Sequence, residues 1–253
     1  VCNDPWDGVY NGNDSGAYTF DTRYAGIPLW QDASLELGYD FAKTVTSDQQ
    51  DKATTGMDLS DGHMLTAEIT AGMLGGFNKT AVQYFIDGLA SSASEYGSGS
   101  GSMLQANSDD GDGYRLINWG VLPFGDKIEF GHEIVYGASS DFAAWRNDKG
   151  ESNLYDDRDT FSVVVRPMYK WDNTMKTILE LGYNHESQTP KDGSETSHDM
   201  QKYTIAQAWS AGSGFWARPE LRVFASYLKS NDSMRPDDKG VKQDDAMNFG
   251  VQA

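Results

Sequence analysis

The chain has 253 residues, 38% of them hydrophobic, with a mean hydropathy of -0.59 and a formal net charge of -18. So polar a chain lacks the apolar share of a thick two-sided core, although a barrel with a wet lumen needs none, and no run nears the roughly 18 apolar residues of a membrane helix. The acidic balance argues against nucleic acid as a partner, because phosphate contacts need clustered Lys and Arg.

About 11 strands are predicted in chain order: near 17–27, 33–45, 62–73, 79–89, 113–121, 127–137, 160–171, 175–186, 200–211, 216–229 and 246–252. The second sets the pattern. Ala33, Leu35, Leu37, Tyr39 and Phe41 share one parity, and Ser34, Glu36, Gly38 and Asp40 the other. Successive strand side chains point to opposite faces, so one face is apolar and the other charged. In the fourth, Val82, Tyr84 and Ile86 oppose Lys79, Gln83 and Asp87. In the seventh, Phe161, Val163, Val165, Pro167, Tyr169 and Trp171 oppose Ser162, Arg166 and Lys170. The eighth sets Leu179, Leu181 and Tyr183 against Lys176, Glu180 and Asn184. The tenth sets Leu221, Val223, Ala225 and Tyr227 against Arg218, Glu220, Arg222 and Ser226. Aromatic residues gather near the ends of the apolar parity, where an interfacial girdle would stand.

The predicted strands are longer than the soluble mode of about 5–6 residues and match tilted membrane strands of about 9–11. Connections come in two sizes. Ile27 to Asp32, Pro123 to Asp126 and Asp172-Asn173 are short; Ser91 to Asp112, Ala138 to Asp159, Ser187 to Asp199 and Ser230 to Asp245 are long, polar and acidic. Short turns on one side and long loops on the other are the habit of outer-membrane barrels. The fold class expected is therefore all-β, an antiparallel transmembrane β-barrel, in a single domain over 1–253 with no hinge or second domain. Val1 starts the chain without Met or signal peptide and Ala253 ends it within a strand pattern, so an incomplete barrel is expected, with N-terminal strands and an extreme C-terminus outside it. Cys2 is the only cysteine, so no internal disulfide can form.

No enzyme constellation stands out: there is no nucleophile elbow, phosphate loop or HExxH. His63, His132, His185 and His198 lack metal-ligand spacing. Asp109-Asp110-Gly111-Asp112-Gly113 lacks the terminal Glu of a calcium loop and reads as a solvated loop. No catalytic group, metal or cofactor is expected. Two aromatics break the parity rule. Phe77 shares parity with Lys79, Gln83 and Asp87, and Trp216 with Arg218, Glu220 and Arg222. Either these rings belong to the girdle or fill a local gap, or they face a wet lumen beside fixed charges. In the lumen a ring would stack the C–H face of a sugar whose hydroxyls bond to charged side chains.

These same residues resemble the maltoporin family of sugar-specific outer-membrane porins. The matching segments are Gly75-Gly76-Phe77-Asn78-Lys79 with Val82-Gln83-Tyr84, Arg166-Pro167-Met168-Tyr169-Lys170-Trp171, Glu180-Leu181-Gly182-Tyr183, Trp216-Ala217-Arg218-Pro219 with Arg222-Val223-Phe224-Ala225, and Asn248-Phe249-Gly250. They follow family order from about Tyr18 onward and correspond to the C-terminal part of a family chain. The resemblance implies an 18-stranded barrel, of which about 11 strands lie here, assembled as a homotrimer in the Gram-negative outer membrane and surrounded by its lipid. It implies passive diffusion of maltose and maltodextrin-type sugars along an aromatic slide flanked by ionic groups. Phe77 falls on a slide phenylalanine and Trp216 on a slide tryptophan; Arg166, Arg218 and Arg222 are lumen candidates by parity. The alternatives are a general or other-sugar porin of the same fold, and a soluble β-rich carbohydrate-binding or adhesin domain.

Overall fold

A computed structural model describes residues 16–45, 60–95, 109–146, 152–231 and 244–253. The described residues form β1 (Gly16–Trp30), β2 (Ala33–Val45), β3 (Gly62–Met73), β4 (Gly76–Asp87), β5 (Asp112–Phe124), β6 (Ile128–Arg146), β7 (Ser152–Lys170), β8 (Met175–Pro190), β9 (Thr196–Ser210), β10 (Glu220–Ser230) and β11 (Asp245–Gln252). They join in chain order into one 11-stranded antiparallel sheet. The fold is all-β, as the alternation predicts. β1 and β11 are each paired on one side only, so the sheet is open at both edges.

Register turns the sequence alternation into two continuous faces. Lys79 lies opposite Trp119, Trp119 opposite Glu133, and Glu133 opposite Val164. On the other face, Val82 lies opposite Leu116 and Leu116 opposite Tyr136. A slip of one residue would exchange the faces, so the pattern fixes the pairing. The apolar face carries no second layer. Ile205, Val223 and Phe249 are 54%, 48% and 72% exposed on it. An unpartnered apolar surface of this extent needs another apolar phase to cover it.

Two rows of aromatics bound that face. Toward the short turns, Phe124 and Phe130 stand edge to face at 6.4 Å, and Tyr169 and Trp171 at 4.7 Å. Toward the long connections lie the pairs Tyr114–Tyr136, Phe161–Tyr183 and Tyr203–Tyr227, with centroids 5.9 to 6.4 Å apart. On β5, Tyr114 and Phe124 are ten positions apart. At a rise of about 3.4 Å and a tilt of about 40°, that is about 26 Å of height, close to the roughly 25 Å apolar band of membrane barrels. Polar side chains inside the band pair with one another: His132 Nε2 lies 3.0 Å from Asn78 Oδ1, and Asn118 Nδ2 donates to Thr80 Oγ1 at 2.8 Å, while His132 Nδ1 has no hydrogen-bond partner among the described residues.

The structure corrects three expectations. Ala138 to Asp159 is for the most part not a loop, since β6 and β7 stay paired out to Arg146 and Ser152. β8 and β9 likewise extend to Pro190 and from Thr196, shortening the Ser187–Asp199 connection. Past the aromatic rows the two faces of these hairpins no longer contrast in polarity, so backbone pairing continues without hydrophobic alternation to announce it. The tenth strand begins at Glu220 and not near 216, so Trp216 and Arg218 sit in the connection 211–219, where strand parity does not apply.

Buried side chains collect under segments that fold back onto the polar face. Met168, Ile178, Ala206 and Ala208 form one cluster, covered by Phe215 and Phe224. The other end of the sheet holds a 3-10 turn, Ala90–Ala93. Its backbone sits so close to Gly113 and Gly137 that a Cβ at Gly113 would lie 2.6 Å from that of Ala93. Ser139 Oγ donates to Ala90 O at 2.8 Å and Thr160 Oγ1 to Ser94 O at 2.8 Å, while Arg115 binds the carbonyls of Ser92 and Ala93.

Candidate functional site

Phe77 lies within β4, opposite Gly72 on one side and Val121 on the other. Its parity argument therefore stands on paired strand, and its ring shares the polar face with Lys79 and Gln83. Trp119 meets it edge to face at 5.1 Å, and Lys79 Nζ stands 6.0 Å over the Trp119 ring while pairing with Glu68 Oε1 at 2.5 Å. The alternation never flagged Trp119. Ile117, Trp119 and Val121 on one face of β5 are as apolar as Leu116 and Leu122 on the other.

The same lateral row continues from Phe77 through Val121 to Gly131 and Arg166. Gly131 is a seat. A Cβ there would lie 2.7 Å from Cε2 of the Phe215 ring, so glycine leaves the room into which the tip of that ring packs. The Arg166 guanidinium covers the ring 5.0 Å from its centroid, a cation–π geometry. Trp216 stacks edge to face on Phe215 at 4.9 Å and is 61% exposed. Phe77 and Gly131 are two ladder steps apart, about 10 Å at the usual interstrand spacing. Two aromatic pairs thus stand about two sugar-ring widths apart along one row.

Charged groups surround the second pair. Lys176 Nζ is buried and pairs with Glu220 Oε2 at 2.8 Å. Arg222 Nε lies 3.4 Å from Glu220 Oε1, and Arg218 Nη1 lies 3.8 Å from Glu220 Oε2. Glu129 pairs with Lys170 at 3.2 Å. The structure thus brings Trp216, Arg166, Arg218 and Arg222 into one neighbourhood around Glu220 and Phe215. Phe77 stands apart, two strands along the row. Phe215, Glu129 and Lys176 were not singled out from sequence; the small residue at Gly131 on the charged parity was the available signal.

At the other end, Arg158 links the 88–95 segment to the wall, with Nη1 2.8 Å from Glu95 Oε1 and Nη2 3.2 Å from Glu186 Oε1. Burial raises the Glu95 carboxyl above its ordinary value against the pull of Arg158. Among the described residues, no group of three or more His, Cys, Asp or Glu side chains is placed to hold a metal ion.

Residues 4–253 match the family model described as LamB porin. The chain is 47% identical over 241 residues to a maltoporin of Photobacterium profundum, covering 94% of this chain and 52% of that protein. It is 39% identical over 244 residues to a maltoporin of Vibrio cholerae, covering 93% and 57%. A maltoporin of Hahella chejuensis is 40% identical over 234 residues, at 92% and 52%. The chain spans about half the length of these curated relatives.

Proposed function

Because the chain belongs to the LamB porin family, we propose that it contributes eleven strands to the wall of a sugar-selective channel in the Gram-negative outer membrane. The remaining strands of an 18-stranded barrel close the open edges beside β1 and β11, since a bilayer tolerates no unpaired strand edge. On this reading 1–253 is one porin domain, completed outside these residues. The apolar face meets lipid, the polar face lines the lumen, and the channel assembles as a homotrimer.

Maltose and maltodextrin-type sugars cross by facilitated diffusion. Phe77 and Trp216 offer ring faces to the apolar C–H surface of successive pyranose units. Arg166, Arg218 and Arg222 offer donors to their hydroxyls. Each ring contributes on the order of 1 kcal/mol, enough to favour entry and too little to hold the sugar, as conduction requires. No bond is made or broken.

The observation that carries this reading is the lateral row from Phe77 to Gly131, with the Phe215–Trp216 step seated at its far end. The unpartnered apolar face speaks against a soluble carbohydrate-binding domain. The test is maltodextrin block of ion current through the full-length channel in a planar bilayer, comparing wild type with Phe77→Ala and Trp216→Ala. Block weakened by about 5-fold in each variant, the equivalent of about 1 kcal/mol, supports a sugar path over both rings. A wild-type channel that maltodextrin does not block is a general porin.

A further inference from the structure

The short turn at 171–174 closes with its own residues: Asp172 Oδ1 accepts the backbone N–H of Thr174 at 2.7 Å and of Met175 at 2.8 Å. The 211–219 connection is held differently. Two charged side chains from distant strands grip its backbone at consecutive residues. Glu129 of β6 accepts the Phe215 N–H at 2.6 Å, while its other oxygen takes Lys170. Lys176 of β8 donates to the Gly214 carbonyl at 3.0 Å and is neutralised by Glu220. Within the turn, Ser210 Oγ donates to Gly212 O at 2.6 Å and Ala217 N–H to Gly214 O at 3.1 Å. Sequestered charges are costly unless paired, and a turn needs neither of them in order to reverse the chain. Their common effect is to fix where residues 214 and 215 lie on the polar face.

What they fix is the base of the exposed ring. Phe215 lies on Gly131, under the Arg166 guanidinium, and packs against the Met168, Ile178, Ala206 and Ala208 cluster. Trp216 meets this platform edge to face at Phe215, at an interplanar angle of 66°. Most of its ring is open. A weak stacking site works only if the ring is held still before sugar arrives, because ordering it on binding would consume most of about 1 kcal/mol.

We infer that Glu129 and Lys176, together with the Gly131 seat, are positioning residues that clamp the Phe215–Trp216 step so that the Trp216 ring stands ready for sugar. This rests on the reading of Trp216 as a sugar station. Neither charged residue touches sugar; both act through the backbone at 214–215.

A coupling measurement tests it in the full-length channel. Glu129→Ala removes the grip on the Phe215 N–H, and Gly131→Ala, a change of one methyl group, pushes the Phe215 ring off its seat. Each is made with Trp216 present and in a Trp216→Ala background, and maltohexaose block is titrated in all cases. Block is expected to weaken about 5-fold with Trp216 present and to change by less than about 1.5-fold without it, the non-additivity of residues acting through one group. Equal losses in both backgrounds overturn the positioning role, as does no loss in either while Trp216→Ala alone weakens block; the sugar path over Trp216 then stands. A Trp216→Ala channel blocked as strongly as wild type overturns the sugar reading of that ring and the clamp with it.

Discussion

Lys176 offers the sharpest test of how this sheet is held. Its side chain is fully buried, and its ammonium meets Glu220 Oε2 at 2.8 Å and the Gly214 carbonyl at 3.0 Å. Lys176→Met keeps the length and the apolar stem but leaves the Glu220 carboxylate buried without its main partner. Breaking one side of such a pair costs about 3–5 kcal/mol. Arg222 still lies 3.4 Å from the other Glu220 oxygen and offsets part of this, which sets the expectation near the lower limit, about 3 kcal/mol. Guanidinium unfolding of the detergent-solubilised full-length protein reads it. With a slope of about 3 kcal/mol/M, the midpoint falls by about 1 M. The double variant Lys176→Met/Glu220→Gln strands no fully buried charge, since Arg218 and Arg222 are partly exposed, and recovers most of the loss. A single variant within about 0.5 kcal/mol of wild type, or a double variant less stable than the single, refutes the argument.

Three further outcomes are expected. Folding raises the Glu95 carboxyl's pKa, so its contribution is fully present below the ordinary 4.5 and is lost as pH rises through the folded value; wild type therefore gains stability over Glu95→Gln as pH falls from about 7 to 4.5, and a flat difference contradicts this. Gly113→Ala places a methyl 2.6 Å from Ala93 Cβ, costs about 1–3 kcal/mol and makes the 88–95 segment cleavable by protease, which peptide mapping detects. Chain 1–253 alone, open along β1 and β11, associates edge to edge and produces no defined single-channel step in a bilayer; a stable unitary conductance would refute the need for further strands.

The sequence is legible where the two sides of a strand differ in polarity and silent where they do not. From Phe161 to Tyr169 the two sides of β7 differ in chemistry, so parity separates Phe161, Val163, Val165 and Tyr169 from Ser162 and Arg166, while the apolar Val164 and Met168 on the second side give no such signal. From Ser152 to Asp159 the same strand lacks that contrast between its sides, and no alternation marks it. β5 hid its polar face because Ile117, Trp119 and Val121 are apolar residues on that side. Trp216 was assigned to a strand because parity was extended across Arg218-Pro219 into a connection whose shape is set by Glu129 and Lys176, far earlier in the chain. A grip from that distance leaves no local trace. Only Gly131, an empty position on the charged parity, hinted that another side chain would lie there.

The two aromatic rows also carry a consequence for where the protein can reside. A height of about 26 Å between Tyr114 and Phe124, for strands tilted by about 40°, suits a thin hydrocarbon layer, and strands cannot lengthen or shorten as loops do. In a sterol-rich bilayer several ångströms thicker, the lipid would have to compress along the whole apolar face of the sheet, at a fraction of a kcal/mol per Å of mismatch. Ring placement on a rigid sheet therefore acts as a gauge of membrane thickness, disfavouring residence in any thicker bilayer without a specific contact to any lipid.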